Sequence, residues 1–442
     1  GGTVYHPSFS RAPLYFRATG FFPLAGKIHC NPGRDGVIWM QYPKPYQQEE
    51  IIMDKQWVKE LHSQFPVAEK LAFFDIAYEN CGNDFVRQAL NTYMDHKADI
   101  RPGLVKAGGA GKGETIGVIA DAREKLRQFL NAKDIRNLAF TPNTCQAISD
   151  VLQGYSFAPG ENVVVGDLEH VSVIMPCLYL KNKGVEVRVV PSNGMTLSAE
   201  ELLEQVDGNT RIVVVSYVQS RSGYKVDLPY LVEECHKRGA YVVTDAIQGL
   251  GFQPFDVQAM GVDAVASSCY KGLLGVEGVG FLYVSDGLLS KLRPVTAGDS
   301  PALSIDRNSW EIKGADAIDA RKFESGTIPF QAIYGLRAGI GKLLEIGLEE
   351  IGAHISDCFE TVYKGLTDLG YDILTPLDPK HRCHSMAVKV DNAAGMVDYF
   401  LEHGVFISKG VDRYVRVAIG PFTTEADMEK LFQVAKAWKE QG

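Results

Sequence analysis

The sequence predicts an α/β protein built on a mostly parallel sheet with helices on both faces. Three observations carry this reading. Between residues 162 and 244, short valine-rich runs alternate with amphipathic helical stretches, the pattern of repeated strand–helix–strand units. Two apolar runs lead into residues of opposite charge, Ala240–Thr244 into Asp245 and 263–268 into Lys271. Glycines then cluster at Gly275, Gly278 and Gly280, where a chain leaving the sheet would have to turn sharply and re-enter it.

Residues 1–55 read as an arm without a core of its own, aromatic-rich and interrupted by prolines from Pro7 to Pro45. Regular patterning begins with a short helix over 56–64 and a strand over 71–75. Residues 114–131 then place Ile116, Ile119, Ala122, Leu126, Phe129 and Leu130 along one helical stripe. The glycine-rich stretch Lys106–Glu114 is not a P-loop, because Gly113 follows Lys112 where Ser or Thr is required and the leading glycine is missing. It reads instead as a mobile loop at an active site, with a plain linker as the alternative. Strands follow at 162–166, 185–190, 211–218 and 240–244, with helices at 198–206 and 228–237. The first of these helices opens on Ser198 and Glu201, a capping box. The alternation fades after Tyr283. A long helix over 330–345 leads into a helix–strand–helix region that ends near Lys439. The division predicted is an arm (1–55), a large domain (56–330) and a smaller α+β domain (331–442).

Composition bounds the function. Apolar and charged contents of 45% and 22% suit a globular enzyme. A formal net charge of −9 argues against non-specific nucleic-acid binding, which depends on an excess of Lys and Arg. No apolar run approaches the roughly 20 residues of a membrane helix, and the first residues carry no leader pattern. Eight scattered cysteines without a C-x-x-C pair read as reduced thiols in a cytoplasmic protein and disfavour zinc.

Ligands of open α/β sheets sit beyond the carboxyl ends of the strands. Strands ending in Asp245 and Lys271 would therefore aim a carboxylate and an amine into one crevice. Pyridoxal 5'-phosphate (PLP) requires such a pair, a lysine amine for its aldehyde and an acid for its pyridine nitrogen. Taken alone, Asp245 is as consistent with capping a βα turn, and a lone lysine with a solvated charge. A third feature is Thr141-Pro-Asn-Thr144-Cys145, which opens a helix whose free N–H groups could seat a phosphate.

The order Thr144-Cys145-Gln-Ala, Glu169-His170, Val218-Gln219-Ser-x-Ser-Gly223, Asp245-Ala-Ile-Gln248, Lys271 and Phe323-Glu-Ser-Gly-Thr327 resembles the class V aminotransferases. That PLP family of fold type I includes cysteine desulfurases, selenocysteine lyase and isopenicillin N epimerase. The resemblance covers roughly residues 56–440. It implies a mostly parallel seven-stranded sheet, an internal aldimine on Lys271, which also shuttles the Cα proton, and Asp245 on the ring nitrogen. His170 would stack on the ring, and Gln248 or Gln219 would bond its hydroxyl. Thr144, Cys145, Ser268 and Tyr270 would hold the phosphate, Tyr270 standing where the family commonly has His. Thr327 would reach the phosphate of a neighbouring subunit, which implies a homodimer. Arg416 would clamp the substrate carboxylate, with Arg413 as the alternative. Many desulfurases carry a persulfide-forming cysteine shortly before that arginine, and residues 405–416 contain none. Cys383, placed by the sequence on a core strand, is a poor substitute. The chemistry expected is aminotransferase-type on a small amino acid, with C–S lyase or epimerase as alternatives. A PLP-binding regulator without turnover is a remote one.

Overall fold

The computed structural model describes residues 55–98, 112–410 and 413–441. The N-terminal arm and the glycine-rich stretch up to Gly111 lie outside the described residues.

A seven-stranded sheet forms the centre. Its strands are β1 (Leu138–Thr141), β2 (Asn162–Gly166), β3 (Glu186–Val190), β4 (Thr210–Ser216), β5 (Tyr241–Asp245), β6 (Ala264–Ser268) and β7 (Gly280–Val284), in the spatial order β1-β7-β6-β5-β4-β2-β3. All pairings are parallel except those of β7, which runs antiparallel to both β1 and β6. The glycines behind Lys271 make this reversal. Gly278 takes φ +80°, and a Cβ on Gly280 would stand 2.5 Å from the Ser267 carbonyl oxygen.

Period-two side-chain alternation divides the core. Val163, Val165, Ile212, Val214 and Val243 face one helical layer, which includes α4 (Thr144–Gly154) and α5 (Val171–Tyr179). Val164, Val213, Val215 and Val242 face the other, where α3 (Lys112–Phe129) packs. These strands are apolar on both faces because both faces are covered.

Sequence patterning placed most elements within a few residues. It read 71–75 as a strand; Ala72–Phe73 form a ladder parallel to Val405–Phe406, and Asp75 makes a single parallel bridge to Ala418. It did not single out α2 (Asp84–Ala98). The helix expected to open the smaller domain, α7 (Phe330–Ile346), packs against α2 and α3. Beyond the long helix α8 (Leu348–Asp368) lies a second, four-stranded sheet. It is built of β8 (Asp372–Ile373), β9 (Ser385–Lys389), β10 (Ser408–Lys409) and β11 (Tyr414–Ala418), in the order β8-β9-β11-β10. Cys383 precedes β9 instead of lying on it. It follows a short 3₁₀ turn at Pro379–His381, which the alternation of apolar residues could not reveal.

One buried ion pair ties helix α3 and the turn before Ser325 to the edge strand β1. Glu324 accepts from the Phe140 N–H (2.7 Å) and pairs with Arg123 (2.7 Å), both side chains being under one-tenth exposed. Removing one member of a buried pair leaves a charge without compensation and costs about 3–5 kcal/mol. Glu324→Ala should therefore lower the unfolding free energy by about that amount in urea titration. A loss within about 0.5 kcal/mol, the size of an ordinary surface substitution, would mean that Arg123 finds water or another partner.

Candidate active site

The carboxyl ends of β2, β4, β5 and β6 converge, as open α/β sheets require of a binding crevice. The cavity there has a volume of about 230 Å³. Among the residues lining it are Thr144, Cys145, His170, Asp245, Gln248, Ser268, Tyr270 and Lys271, so eight of the residues singled out by sequence meet in one place. Gln219, Thr327 and Arg416 do not line it.

Asp245 ends β5 and pairs in register with Ala266 of β6. Its Oδ1 accepts from the Ile247 N–H (3.0 Å), which turns the carboxylate across the strand end. Burial raises its proton affinity, and the Ile247 N–H and the Lys271 charge oppose the rise. Lys271 follows β6 and is 9% exposed. Burial pushes its pKa below the usual lysine range. The Arg416 charge adds to this, while Asp245 and Asp75 resist it. A lysine amine depressed in this way is a nucleophile and a base near neutral pH.

The helix start lies on the other side of β6. Asn143 caps α4 by accepting from the Gln146 N–H (2.9 Å). Thr144 and Ser268 are tied together: the Ser268 N–H donates to Thr144 Oγ1 (2.8 Å), and the Thr144 N–H donates to Ser268 Oγ (3.0 Å). Two hydroxyls and a helix N-terminus thus face one point, the donor set a phosphate monoester requires.

His170 caps α5 and is exposed, its Nδ1 accepting from the Ser172 N–H (3.2 Å). With that bond made, the proton of the neutral ring belongs on Nε2. Burial of one side of the ring, with the charges of Lys271, Arg221 and Arg416, lowers its pKa and favours this neutral form.

Gln219 is drawn away from the cavity. Its Nε2 donates to Glu169 (2.8 Å), leaving Gln248 as the glutamine that lines the crevice. Gln248 Nε2 is held by the Ala77 carbonyl (2.8 Å), and its buried Oε1 has no hydrogen-bond partner. Arg416 stands behind the cavity. Its Nη1 donates to the Ser220 carbonyl (2.7 Å), Nη2 lies 3.7 Å from Asp75, and Nε is buried without a partner. Arg413, the alternative clamp, is exposed. Thr327 is exposed as well.

Sequence reasoning missed two groups. Asp75 is the buried counter-ion of Arg416, visible in the sequence only as the residue after a short apolar run. Glu169 is fully enclosed and accepts from the Ser216 N–H (2.9 Å), the Ser216 hydroxyl and Gln219. It was noted as part of a motif but given no role. An acidic residue between an apolar strand and a helix-capping histidine was its only signal.

PLP fits this donor set. Asp245 offers a buried carboxylate with an oxygen left over for the ring nitrogen, and Gln248 offers an unpartnered buried amide oxygen. Lys271 offers a depressed amine, and Thr144, Cys145 and Ser268 line the end suited to the phosphate.

Burial raises the Glu169 pKa from 4.5 to about 7, and the Ser216 and Gln219 hydrogen bonds hold the rise back. Over that window the folded state binds a proton the unfolded chain does not, so the stability contributed by Glu169 falls as pH rises through it. Unfolding free energies of the protein and of Glu169→Gln, taken at roughly pH 5 and pH 8, should diverge. The variant should gain about 1–3 kcal/mol relative to the parent at the higher pH, since each pKa unit is ~1.36 kcal/mol. A pH-independent difference would mean that Glu169 is ionised throughout.

The comparisons agree with this geometry. The probable cysteine desulfurase of Methanothermobacter thermautotrophicus is 35% identical over 237 residues, 53% of this chain and 58% of that protein. The chain thus aligns with little more than half the length of that relative. The cysteine desulfurase CsdA of Escherichia coli shares the fold with a TM-score of 0.75 at 23% identity, covering 87% of this chain and 98% of that one. The cystine C–S lyase C-DES, solved with its reaction product cysteine persulfide, superposes with the same score of 0.75 at 21% identity, covering 84% and 99%. The aminotransferase class-V family model matches residues 84–431, and with the crevice above it establishes that the chain belongs to that family of PLP-dependent enzymes of fold type I.

Proposed function

We propose that the protein is a PLP-dependent C–S lyase acting on cysteine or a cysteine-derived amino acid such as cystine, and that it releases the sulfur instead of storing it on a protein thiol. The relatives named as desulfurases and the C-DES fold support the lyase reading over the aminotransferase-type chemistry expected from sequence. One observation carries the second half. No cysteine follows Cys383, and Cys383 itself is enclosed, its Sγ 3.8 Å from the Gln248 carbonyl. Burial pushes its thiol up to about 12. A thiol kept enclosed and protonated does not accept sulfur, and Cys145, the cysteine that lines the cavity, stands with Thr144 and Ser268 at the end suited to the phosphate.

PLP, when bound, supplies an electron sink for breaking a bond at Cα. The chain's own residues supply the rest. Asp245 holds a negative charge in a dry site. Arg416, freed from its loose contact with Asp75, offers its planar fork to the substrate carboxylate. The Lys271 amine takes the Cα proton at Nζ. His170 keeps a proton on Nε2 that it can deliver to a departing sulfur. With cystine and one water, the balanced products are cysteine persulfide, pyruvate and ammonia.

The active unit we propose is a homodimer. Val171, Met175 and Tyr179 form an apolar stripe along α5 that is 55–63% exposed. Thr327, which does not line its own chain's cavity, sits on a loop fixed by Glu324 and by Lys322. The buried Lys322 ammonium donates to the carbonyls of Leu289 (3.2 Å), Leu292 (3.0 Å) and Ala317 (2.9 Å). A loop so firmly anchored, with its threonine facing outward, suits delivery to a second subunit. Cys81, Cys145, Cys177, Cys235, Cys269 and Cys383 are free thiols, which supports a reducing, cytoplasmic setting. Among the described residues no helix is long and apolar enough to cross a membrane.

Product analysis with the PLP-loaded protein decides between the chemistries. Pyruvate and ammonia should appear from cysteine or cystine. Alanine would point to desulfuration, the pyridoxamine form to transamination, and deuterium in racemised substrate to epimerisation. Cys383→Ser should retain full turnover, and a loss beyond tenfold would restore a protein persulfide. Arg416→Ala should raise KM about 10- to 100-fold with a smaller change in kcat, the loss of charged hydrogen bonds worth about 1.5–3 kcal/mol. An unchanged KM would pass the clamp to Arg413.

A further inference from the structure

The turn that carries Lys271 is held from outside the sheet. Residues 76–83 connect the short strand Ala72–Phe73 to α2 and supply hydrogen bonds to the turn 269–275. Asn80 Nδ2 donates to the carbonyls of Tyr270 (2.7 Å) and Gly275 (2.9 Å), which flank the lysine on both sides. The Asn80 main-chain N–H reaches the Tyr270 carbonyl as well (3.0 Å). Asn83 Nδ2 donates to the Leu274 carbonyl (3.0 Å). Both amides are oriented by their own oxygens, Asn80 Oδ1 by the Gly82 N–H (2.9 Å) and Asn83 Oδ1 by the Val86 N–H (2.9 Å).

The turn needs such support. Leu274 has φ +59°, a left-handed conformation that a branched side chain rarely adopts. Gly275 is pressed so closely that a Cβ there would stand 3.1 Å from the Cys269 carbonyl oxygen. Such a backbone relaxes unless neighbouring groups over-determine it. Asparagine suits the task because one planar nitrogen carries two donors, while the isosteric aspartate carries none.

We propose that Asn80 is a positioning residue for Lys271: by clasping both rims of the turn, it fixes where the amine stands relative to Asp245 and the cavity. Lys271 follows the Tyr270 carbonyl that Asn80 holds twice, so release of that carbonyl lets the lysine backbone rotate and its amine leave the cavity. The inference rests on Lys271 being the group that joins the cofactor.

The test measures the rate at which apo-protein takes up PLP at residue 271, trapped by borohydride and read by peptide mass, together with thermal midpoints. Asn80→Asp keeps the shape and the main-chain bond and removes both side-chain donors, and Asn80→Ser keeps one side-chain donor. Asn137→Ala is the control, because Asn137 is a buried asparagine whose Nδ2 donates to the Val284 carbonyl (2.9 Å), at the strand end opposite the cavity. Rates are compared well below every midpoint. Asn80→Asp should label at least tenfold more slowly than the parent, Asn80→Ser should fall between them, and Asn137→Ala should label at the parental rate whatever its midpoint. Equal labelling rates in Asn80→Asp and Asn137→Ala would overturn the proposal and leave Asn80 a purely structural residue. Parent protein labelled at a lysine other than 271 would overturn the assignment of Lys271, and this inference with it, and is distinguished by the mass of the tagged peptide.

Discussion

The site depends on a group of four buried charges, Lys271 and Arg416 against Asp245 and Asp75. Each is costly to bury alone, and each is tolerable because the others are near. Burial and the Arg416 charge together depress the lysine, and the two carboxylates oppose the fall. The carboxylates, for their part, are pushed upward by burial and restrained by the cations. The balance leaves an acid of raised and an amine of lowered proton affinity lining the same cavity. Lys271 is the member that feels all three of the others.

The fold assembles this group from two directions. Parallel strands β5 and β6 bring Asp245 and the turn that carries Lys271 to the same end of the large sheet. The four-stranded sheet delivers Arg416 from the middle of β11, and the segment after Ala72–Phe73 delivers Asp75, whose backbone pairs with Ala418 of the same strand. The same segment goes on to hold Gln248 through the Ala77 carbonyl and the lysine turn through Asn80 and Asn83. One connection between a two-residue strand and a helix thus touches three functional parts. A secondary-structure label gives no hint of this.

The choice of reaction rests on what surrounds these charges. A thiol that accepts sulfur must be exposed and partly ionised, and Cys383 is enclosed with its thiol pushed up by burial.

The sequence by itself determined the α/β class, the strands and helices of strong period, and the crevice residues whose meaning is local. Asp245 and Lys271 were legible because each ends an apolar strand, and Thr144 because it opens a helix. Boundaries in short or aperiodic stretches were not legible. The run 71–75 divides into a two-residue ladder and a separate bridge at Asp75, and Cys383 falls outside its expected strand, because neither carries enough alternation to mark where pairing stops. The tertiary structure alone decided that Gln219 serves Glu169 and not the cavity, that Asp75 neutralises Arg416, and that Asn80 holds Tyr270, a residue 190 positions away. These are hydrogen bonds and ion pairs of single polar side chains across long stretches of chain. They have no period or spacing to read, and they come into being only once packing has removed water from around them.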